Sequence, residues 1–416
     1  MPYTTKQLKI GNTDQLDYLA HEAGAVWSDT VVKFWRVVRH SDHWLSKNAM
    51  QKLIRNNNLH SQTVQGITDS FYESLKSWKI LHKTDHRANP PRKRHWYHAI
   101  PFKESAIKLK DGNLILSTGR GNQPIVIPWL FGKPKVCEIS YSGKEYVLNA
   151  TYAIEPTENN ADGFAGVDLG EVHIAVVCTG ERIVIANGRE LRSKRRYQNK
   201  AKGSFQKKLS KKKKGSRRYK KVNNAKHRVT NKLNNQIRDI LHKQTTKLVC
   251  ILKEDGIQTV GIGDLRDIRD DCNDPNSKNN QKLHQMLSGK ARHYITYKAE
   301  RLGMTVELVD EAYTSQTCPQ CTELNKTKDR NYICEHCGYT GHRDGVGSYN
   351  IRHKTKYQGE MLPVVGDMES KRVLMTPPVG IKYQADTQNA SAANTSPCKS
   401  AAIQPGLSAI KAVTAA

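Results

Sequence analysis

The 416-residue sequence contains no run of about 18 apolar residues, which excludes an ordinary membrane-spanning helix. It also shows no leader with the charged, apolar and small-residue regions of a secretory signal. Acidic side chains are in short supply, 39 Asp and Glu against 67 Lys and Arg, for a net charge of +28. A field of that sign selects a polyanion as partner, with nucleic acid the default. An acidic membrane surface is a poorer fit, because no basic amphipathic helix with bulky apolar anchors stands out. Cysteine is too sparse for a disulfide scaffold: nine residues, five of them scattered at Cys137, Cys178, Cys250, Cys272 and Cys398. That usage fits a reducing compartment, so a cytoplasmic, nucleoid-associated protein is expected. From about 356 to the end the chain is rich in Ala, Ser, Thr, Asn and Pro and poor in core-forming residues. Residues 356–416 are therefore expected to be a disordered tail.

The remaining four cysteines form two Cys-x-x-Cys knuckles, Cys318/Cys321 and Cys334/Cys337, with twelve residues between them. Each knuckle points two sulfurs into one tetrahedron while the intervening backbone donates to them, so the pair predicts a Cys₄ zinc site. Chance cysteines or disulfides are the bland alternative. A closed Cys₄ shell leaves the metal no open position and catalyses nothing itself. Seven residues past the last knuckle, Asp344 stands at the start of a predicted short helix.

Length allows two or three domains. In the first block, to about residue 160, TTKQLKI reads as a strand. Two segments with helical apolar spacing, HEAGAVWSDTVVKFWRVVRHSDHWLS and SQTVQGITDSFYESLKSWKILHKT, then read as a helical insert over about 14–85. Short alternating strands follow, which predicts a β-barrel or sheet interrupted by helices. Arg92, Lys93, Arg94 and Trp96 could neutralise and stack on a nucleic-acid strand, or equally form a solvated basic loop. The second block opens with GFAGVDLGEVHIAVVCTGERIVIANG, two or three strands joined by tight turns, with Asp168 closing the first.

Residues 189–232 are nearly half Lys or Arg, with Glu190 the only acid. The run grades into a stretch with an apolar helical face, so a basic helical arm over 189–254 is expected to lie along phosphates. Its candidate contacts are Arg195, Arg196, Lys207, Lys208, Lys211, Lys212, Arg217, Arg218, Lys220 and Lys221. A solvated charge run is the bland reading. Beyond it, Ile257–Ile262 reads as a buried strand ending near Asp264, DDCNDPNSKNNQK as a loop, LHQMLSGKARHYITYKAERLG as a helix capped by Gly303, and MTVELVDEAYTS as a strand ending near Glu311.

This order brings Asp168, Asp264, Glu311 and Asp344 to strand ends or a helix start along one edge of a mixed sheet. Like charges so gathered repel and raise one another's pKa. They are tolerated when hard divalent ions sit among them, and oxygen-only ligands suit Mg²⁺ or Mn²⁺. Two such ions can activate water and stabilise the leaving oxygen of a phosphodiester, so a very basic protein with this cluster is most economically a nuclease.

From about Phe164 to Arg352 the sequence resembles the TnpB (OrfB) family encoded by bacterial insertion sequences. The resemblance rests on GVDLG at Asp168, SxxxKGSRRYKK before a helix, the VGIGDL strand, EAYTSQTCPQC, CEHCGYTGHRD and the closing SYNI. Over the first 160 residues the similarity is architectural only. It implies an α/β multidomain protein. A wedge-like β domain with a helical recognition insert (1–160) would precede an RNase H-like (RuvC-like) nuclease domain (161–315). A zinc ribbon (316–341) and a last RuvC-like segment (342–355) would follow. The family also implies a guide RNA from the chain's own element, target DNA cut by base-paired guidance, a cognate transposase encoded alongside, and similarity to miniature type V CRISPR effectors.

Carried over residue by residue, Asp168 matches the first catalytic aspartate and Asp344 the last. The middle position departs, since Gly263-Asp264-Leu265 stands where many relatives have Glu-Asp-Leu. Side chains alternate along a strand, so Asp264 need not point where that glutamate would. Glu311, ending the adjacent strand, is the expected substitute, with Asp264 beside it. GVGSYNI also replaces the commoner Asn-Ala-Ala ending while keeping Asp344. The leading expectation is thus an RNA-guided, Mg²⁺-dependent DNA endonuclease of a transposable element. The alternative is an RNA-guided DNA-binding protein that has lost cleavage and acts as a repressor or targeting factor. A strand-transfer transposase is disfavoured, because no DNA-joining module accompanies the RuvC-like acids.

Overall fold

The computed structural model describes residues 3–93, 97–265, 281, 286–327 and 329–359, and the backbone of 372–375. Arg94, Trp96, the 270–282 loop apart from Gln281, and most of the tail lie outside the described residues. The chain divides into two compact units, one running from Tyr3 to Ile154 and the other starting at Glu155.

In the first unit β1 (Tyr3–Gly11) is followed by three helices, α1 (Asp14–Ser41), α2 (Lys47–Leu53) and α3 (Ser61–Thr84). Thr13 starts α1 by accepting from the Leu16 amide, and Asp14 and Asp17 complement the positive helix end. Trp27 and Phe34 on α1 and Phe71 on α3 recur at helical spacing and pack edge to face, with ring centroids 5.9 and 5.2 Å from Phe71. Strands β2 (Ile100–Phe102), β3 (Ile107–Lys110), β4 (Asn113–Leu116), β5 (Ile125–Pro128), β6 (Val136–Tyr141) and β7 (Tyr146–Ala153) complete the unit. They form a four-stranded sheet, β1-β7-β6-β2, and a three-stranded sheet, β3-β4-β5. Among the described residues no ladder joins the two, so the expected barrel is, in hydrogen-bonding terms, a pair of sheets. The single turn at Glu104–Ala106 ends β2 after three residues and sends the chain into the second sheet.

The second unit is built on a six-stranded mixed sheet. Its members are β8 (Gly163–Asp168), β9 (His173–Cys178), β10 (Arg182–Asn187), β11 (Ile257–Asp264), β12 (Thr305–Asp310) and β15 (Arg372–Met375), in the order β12-β11-β8-β9-β10-β15. Among the described residues, the ribbon strands β13 (Asn331–Ile333) and β14 (Thr340–His342) pair only with each other. β15 corrects the expectation of a wholly disordered tail: residues 372–375 pair in parallel with Arg182–Ile185. The short RVLM run finds its backbone partners on the open edge of β10.

Two helices, α5 (Arg217–Glu254) and α6 (Ser288–Arg301), cover one face of the sheet. Ile237, Leu241 and Leu248 of α5 and Ile295 of α6 pack against Ala165, Val167, Val260 and Ile262. Helix α7 (Arg343–Lys356) crosses the other face, where Tyr349 meets Val176, Cys178, Ile183 and Ile185. That crossing requires glycine, because a Cβ on Gly166 would run into the α7 backbone at Ser348 and Arg352. The basic run folds as a helical hairpin of α4 (Arg189–Ser210) against α5, tied by Gln198 donating to Asn234 at 2.7 Å. Gly303 ends α6 with φ +77°, as its position in the sequence predicts.

Candidate active site

β8, β11 and β12 run parallel, with Ile262 opposite both Val167 and Leu308 and Gly263 opposite Val309. Because side chains alternate, Asp168, Gly263, Val309 and Glu311 share the face that α7 covers. Asp264 and Asp310, opposite one another, belong to the other face. The contacts agree. Asp264 is held by Arg292 of α6 at 3.2 Å, whereas a Cβ on Gly263 would strike the carboxylate of Glu311 and one on Gly347 of α7 would lie 2.8 Å from Asp168 Oδ2.

Asp344 lies one helical turn before Gly347, so both occupy one face of α7. Its Oδ2 receives Arg330 Nη1 at 2.8 Å and lies 2.8 Å from His173 Nδ1. Burial works to raise its pKa, but the His173 hydrogen bond and the charges of Arg330 and His342 outweigh it and hold Asp344 below the usual value. The other two acids go the opposite way. Burial, then the charge of Asp344, pushes Asp168 up to about 7 against the pull of Arg343. Burial, followed by Asp168, Asp264 and Asp310, pushes Glu311 up to about 8, and its buried Oε1 has no hydrogen-bond partner.

The structure therefore gathers Asp168, Glu311 and Asp344 at one end of one face, and turns Asp264 toward α6. Their spacing is open: among the described residues, the groups of His, Cys, Asp and Glu with donor atoms all within 4.8 Å are the four ribbon cysteines and His173–His342–Asp344. His173 and Arg330 escaped the sequence reading. His173 opens an apolar strand with no motif spacing around it, and Arg330 lies between the knuckles, with no local pattern tying it to an acid fourteen residues on.

Cys318, Cys321, Cys334 and Cys337 converge, with Sγ–Sγ separations of 3.6 Å for Cys318–Cys337 and for Cys321–Cys334. A disulfide is about 2.05 Å long, while a tetrahedron of ~2.3 Å Zn–S bonds has edges of about 3.8 Å. The donor set and its spacing fit zinc. Although burial works against it, backbone donation from Cys337 and His336 holds the Cys334 thiol at about 7, below its ordinary value. The ribbon is joined directly to the acid's helix, since Arg343 N donates to Arg330 O at 2.7 Å.

Along the basic hairpin, Arg196, Lys207, Lys208, Lys211, Arg217, Arg218, Lys220 and Lys221 are exposed, while Lys212 is half-buried. Arg195 departs from the expected surface row: it is half-buried, its guanidinium donates to Gln198 at 3.3 Å, and burial lowers its pKa. Among the described residues no helix is long and apolar enough to cross a membrane.

Two family models match, OrfB_IS605 ("Probable transposase") over residues 145–269 and "Cas12f1-like, TNB domain" over 289–351. A TnpB-like protein of Methanocaldococcus jannaschii is 28% identical over 125 residues, 30% of this chain and 45% of that protein. The CRISPR-associated endodeoxyribonuclease Cas12f1 of Sulfoacidibacillus thermotolerans is 26% identical over 229 residues, half of each chain. The chain thus spans about half the length of these curated relatives. Among solved structures, a Cas12f1 chain in complex with sgRNA and target DNA aligns over 81% of both chains with TM-score 0.59 at 12% identity, which is a likeness of fold. Together these matches make the chain similar, over the segments given, to TnpB-like proteins and to the miniature type V effector Cas12f1.

Proposed function

We propose that the chain is an RNA-guided DNA endonuclease of a transposable element, with Asp168, Glu311 and Asp344 as its hydrolytic centre. One observation carries this reading: acids from two strands and a helix meet on one face, and two of them are pushed to about 7 and about 8. Carboxylates so placed oppose folding unless positive charge joins them. The partnerless Glu311 Oε1 supplies a hard oxygen of the kind Mg²⁺ or Mn²⁺ accepts. Asp168, Glu311 and Asp344 would hold the ions, with Asp264 one strand position away on the other face. When bound, two divalent ions supply a water nucleophile at neutral pH and stabilisation of the leaving oxygen. The donor atoms of the three acids do not all lie within 4.8 Å of one another, a spread that would suit more than one ion better than a single shell.

The chain's own residues do the rest. Gly166 and Gly347 let α7 approach closely enough for Asp344 to face Asp168. His173 and Arg330 fix the rotamer of Asp344. The exposed cations of the α4–α5 hairpin would follow an RNA or DNA backbone through contacts that carry no sequence information. The zinc ribbon would hold Arg330 and the start of α7 in register. The DNA-binding alternative without cleavage rests on Gly263, and the Glu311 carboxylate beside that glycine supports the cleaving reading over it.

Purified protein with its co-purifying RNA, given a plasmid matched to that RNA and Mg²⁺, is expected to linearise it. Asp168→Ala and Asp344→Ala should each abolish cutting while leaving RNA bound. Near-wild-type cutting by either variant overturns the assignment, and binding without any nicking by the wild type returns the alternative.

A further inference from the structure

We propose that His173, His342 and Asp344 form a second metal site, for a divalent ion of the zinc–cobalt–nickel class, which Arg330 closes as a built-in counter-cation. The proposal shares Asp344 with the centre proposed above and so deepens that reading.

The donors come from three places that the fold brings together: the first residue of β9, the last of β14 and the first turn of α7. Their ligating atoms all lie within 4.8 Å of one another. Two imidazoles with one carboxylate are a borderline ligand set, which prefers transition ions to Mg²⁺. Bonds of about 2.1 Å need donors roughly 3–3.5 Å apart, so side-chain rotations of about 1 Å suffice to close the shell. His173 is almost wholly buried, and His342 Nδ1 is a buried nitrogen with no hydrogen-bond partner. A buried polar atom left unpaired is costly, and a metal would satisfy it.

Arg330 marks where such an ion would sit. Its Nη1 is 2.8 Å from Asp344 Oδ2 and 3.2 Å from His173 Nδ1, so a single cationic nitrogen faces two of the three donors. The Arg330 side chain is 44% exposed, against 4% for His173 and 17% for Asp344, and can swing outward without unpacking a core. An ion entering from that side would exchange one positive charge on the site for two. The fourth position, left by Arg330, would be open to water, as in sites with three protein ligands.

The test uses the full chain with its ribbon loaded with zinc, titrated with Co²⁺ and followed by visible absorption. One further Co²⁺ per chain is expected, without the intense thiolate charge-transfer band of a cysteine site. It should be displaced by Zn²⁺ but not by a hundredfold excess of Mg²⁺. His342→Ala and His173→Gln should each raise the Kd at least tenfold, and Arg330→Gln should lower it several-fold. His342 is half-buried, so its variant keeps the test open if His173→Gln does not fold. No Co²⁺ beyond the ribbon in either the wild type or Arg330→Gln, or an unchanged Kd in His342→Ala, overturns the proposal. Because binding is read without nucleic acid, the nuclease reading is judged separately. Asp168→Ala should lose plasmid cleavage yet keep Co²⁺, and a wild type that binds Co²⁺ without cutting DNA would sink only the nuclease reading.

Discussion

The carboxylate of Glu311 lies in the space that a side chain on Gly263 would fill. The two residues belong to neighbouring parallel strands, with Gly263 opposite Val309 and Glu311 two residues further on the same face. A glycine in one strand and a glutamate ending the next are therefore complementary: the first leaves a gap and the second occupies it.

This complementarity separates the two candidate acids. Glu311→Gln is expected to lower the cleavage rate by about 10²-fold or more, the scale of losing charge at a metal-assisted centre. Asp264→Asn, on the α6 side of the sheet, should stay within a few-fold of wild type. Single-turnover cleavage of matched DNA at saturating Mg²⁺ measures both. The reverse order of effects would return Asp264 to the centre.

The same contact predicts a coupling in stability. Gly263→Ala forces its Cβ against Glu311 and should cost about 1–3 kcal/mol by overpacking. In a Glu311→Ala background the clash is gone, and the substitution should cost under about 1 kcal/mol, since Ala suits a strand no worse than Gly. A double-mutant cycle by denaturant unfolding gives the coupling directly. Additive effects would mean that the two side-chain positions do not meet.

What the sequence alone discloses follows this division. Asp168, Asp344 and the two knuckles are legible because each sits in a short contiguous pattern whose chemistry is local. Glu311 could be named as the expected substitute, but that Asp264 lies on the opposite face depends on the register of β11 against β12 and on a period of two, which places neighbours in the chain on opposite faces. His173 was hidden for a related reason: nothing near it in sequence reveals an aspartate 171 residues away. β15 went unseen because four residues in a polar tract become a strand only beside the exposed edge of β10. Arg195 read as one more cation in a basic run, and only helix packing turns it inward.

Zinc removal should act at a distance. Cys334→Ser removes one of four thiolates, and metal binding energy in such small sites is largely folding energy. The variant is expected to lose stoichiometric zinc by metal analysis and to melt its ribbon at lower temperature. Since Arg330 O holds the first amide of α7 and Arg330 Nη1 holds Asp344, cleavage should fall as well. A variant that lost zinc yet cut DNA at the wild-type rate would show that the ribbon does not position Asp344.

Stability should weaken in mild acid through His242 on α5. Burial, then the charge of Lys298 and the smaller effect of Arg238, lowers its pKa to about 4, with Asp239 pulling weakly upward and His293 weakly downward. The unfolded imidazole protonates near pH 6.5, whereas the folded one, stacked on Tyr294 at 4.0 Å, stays neutral to about 4. Between those values the unfolded state binds the extra proton, so stability is complete above about 6.5 and is lost progressively as pH falls toward 4. Discounted for the partial exposure of the ring, the loss is on the order of 1–2 kcal/mol. His242→Phe keeps the stack and should flatten this part of the curve. An equally steep dependence in the variant would assign the titration to another group.

The basic hairpin offers a last, thermodynamic prediction, because counterion release counts phosphate contacts without needing a complex structure. Lys207, Lys208, Lys211, Arg217 and Arg218 are exposed along α4, α5 and the turn between them. Each contact with single-stranded nucleic acid that is lost should reduce the slope of log K against log salt by about 0.7, and with a DNA duplex by about 0.9. Replacing all five by Gln is expected to weaken RNA binding most at low salt and to flatten the slope by up to about 3–4. Arg195→Gln, whose guanidinium already serves Gln198, should change the slope little and lower the melting temperature instead. Equal slopes for the five-fold variant and the wild type would leave the hairpin as a solvated spur and put the phosphate track elsewhere on the molecule.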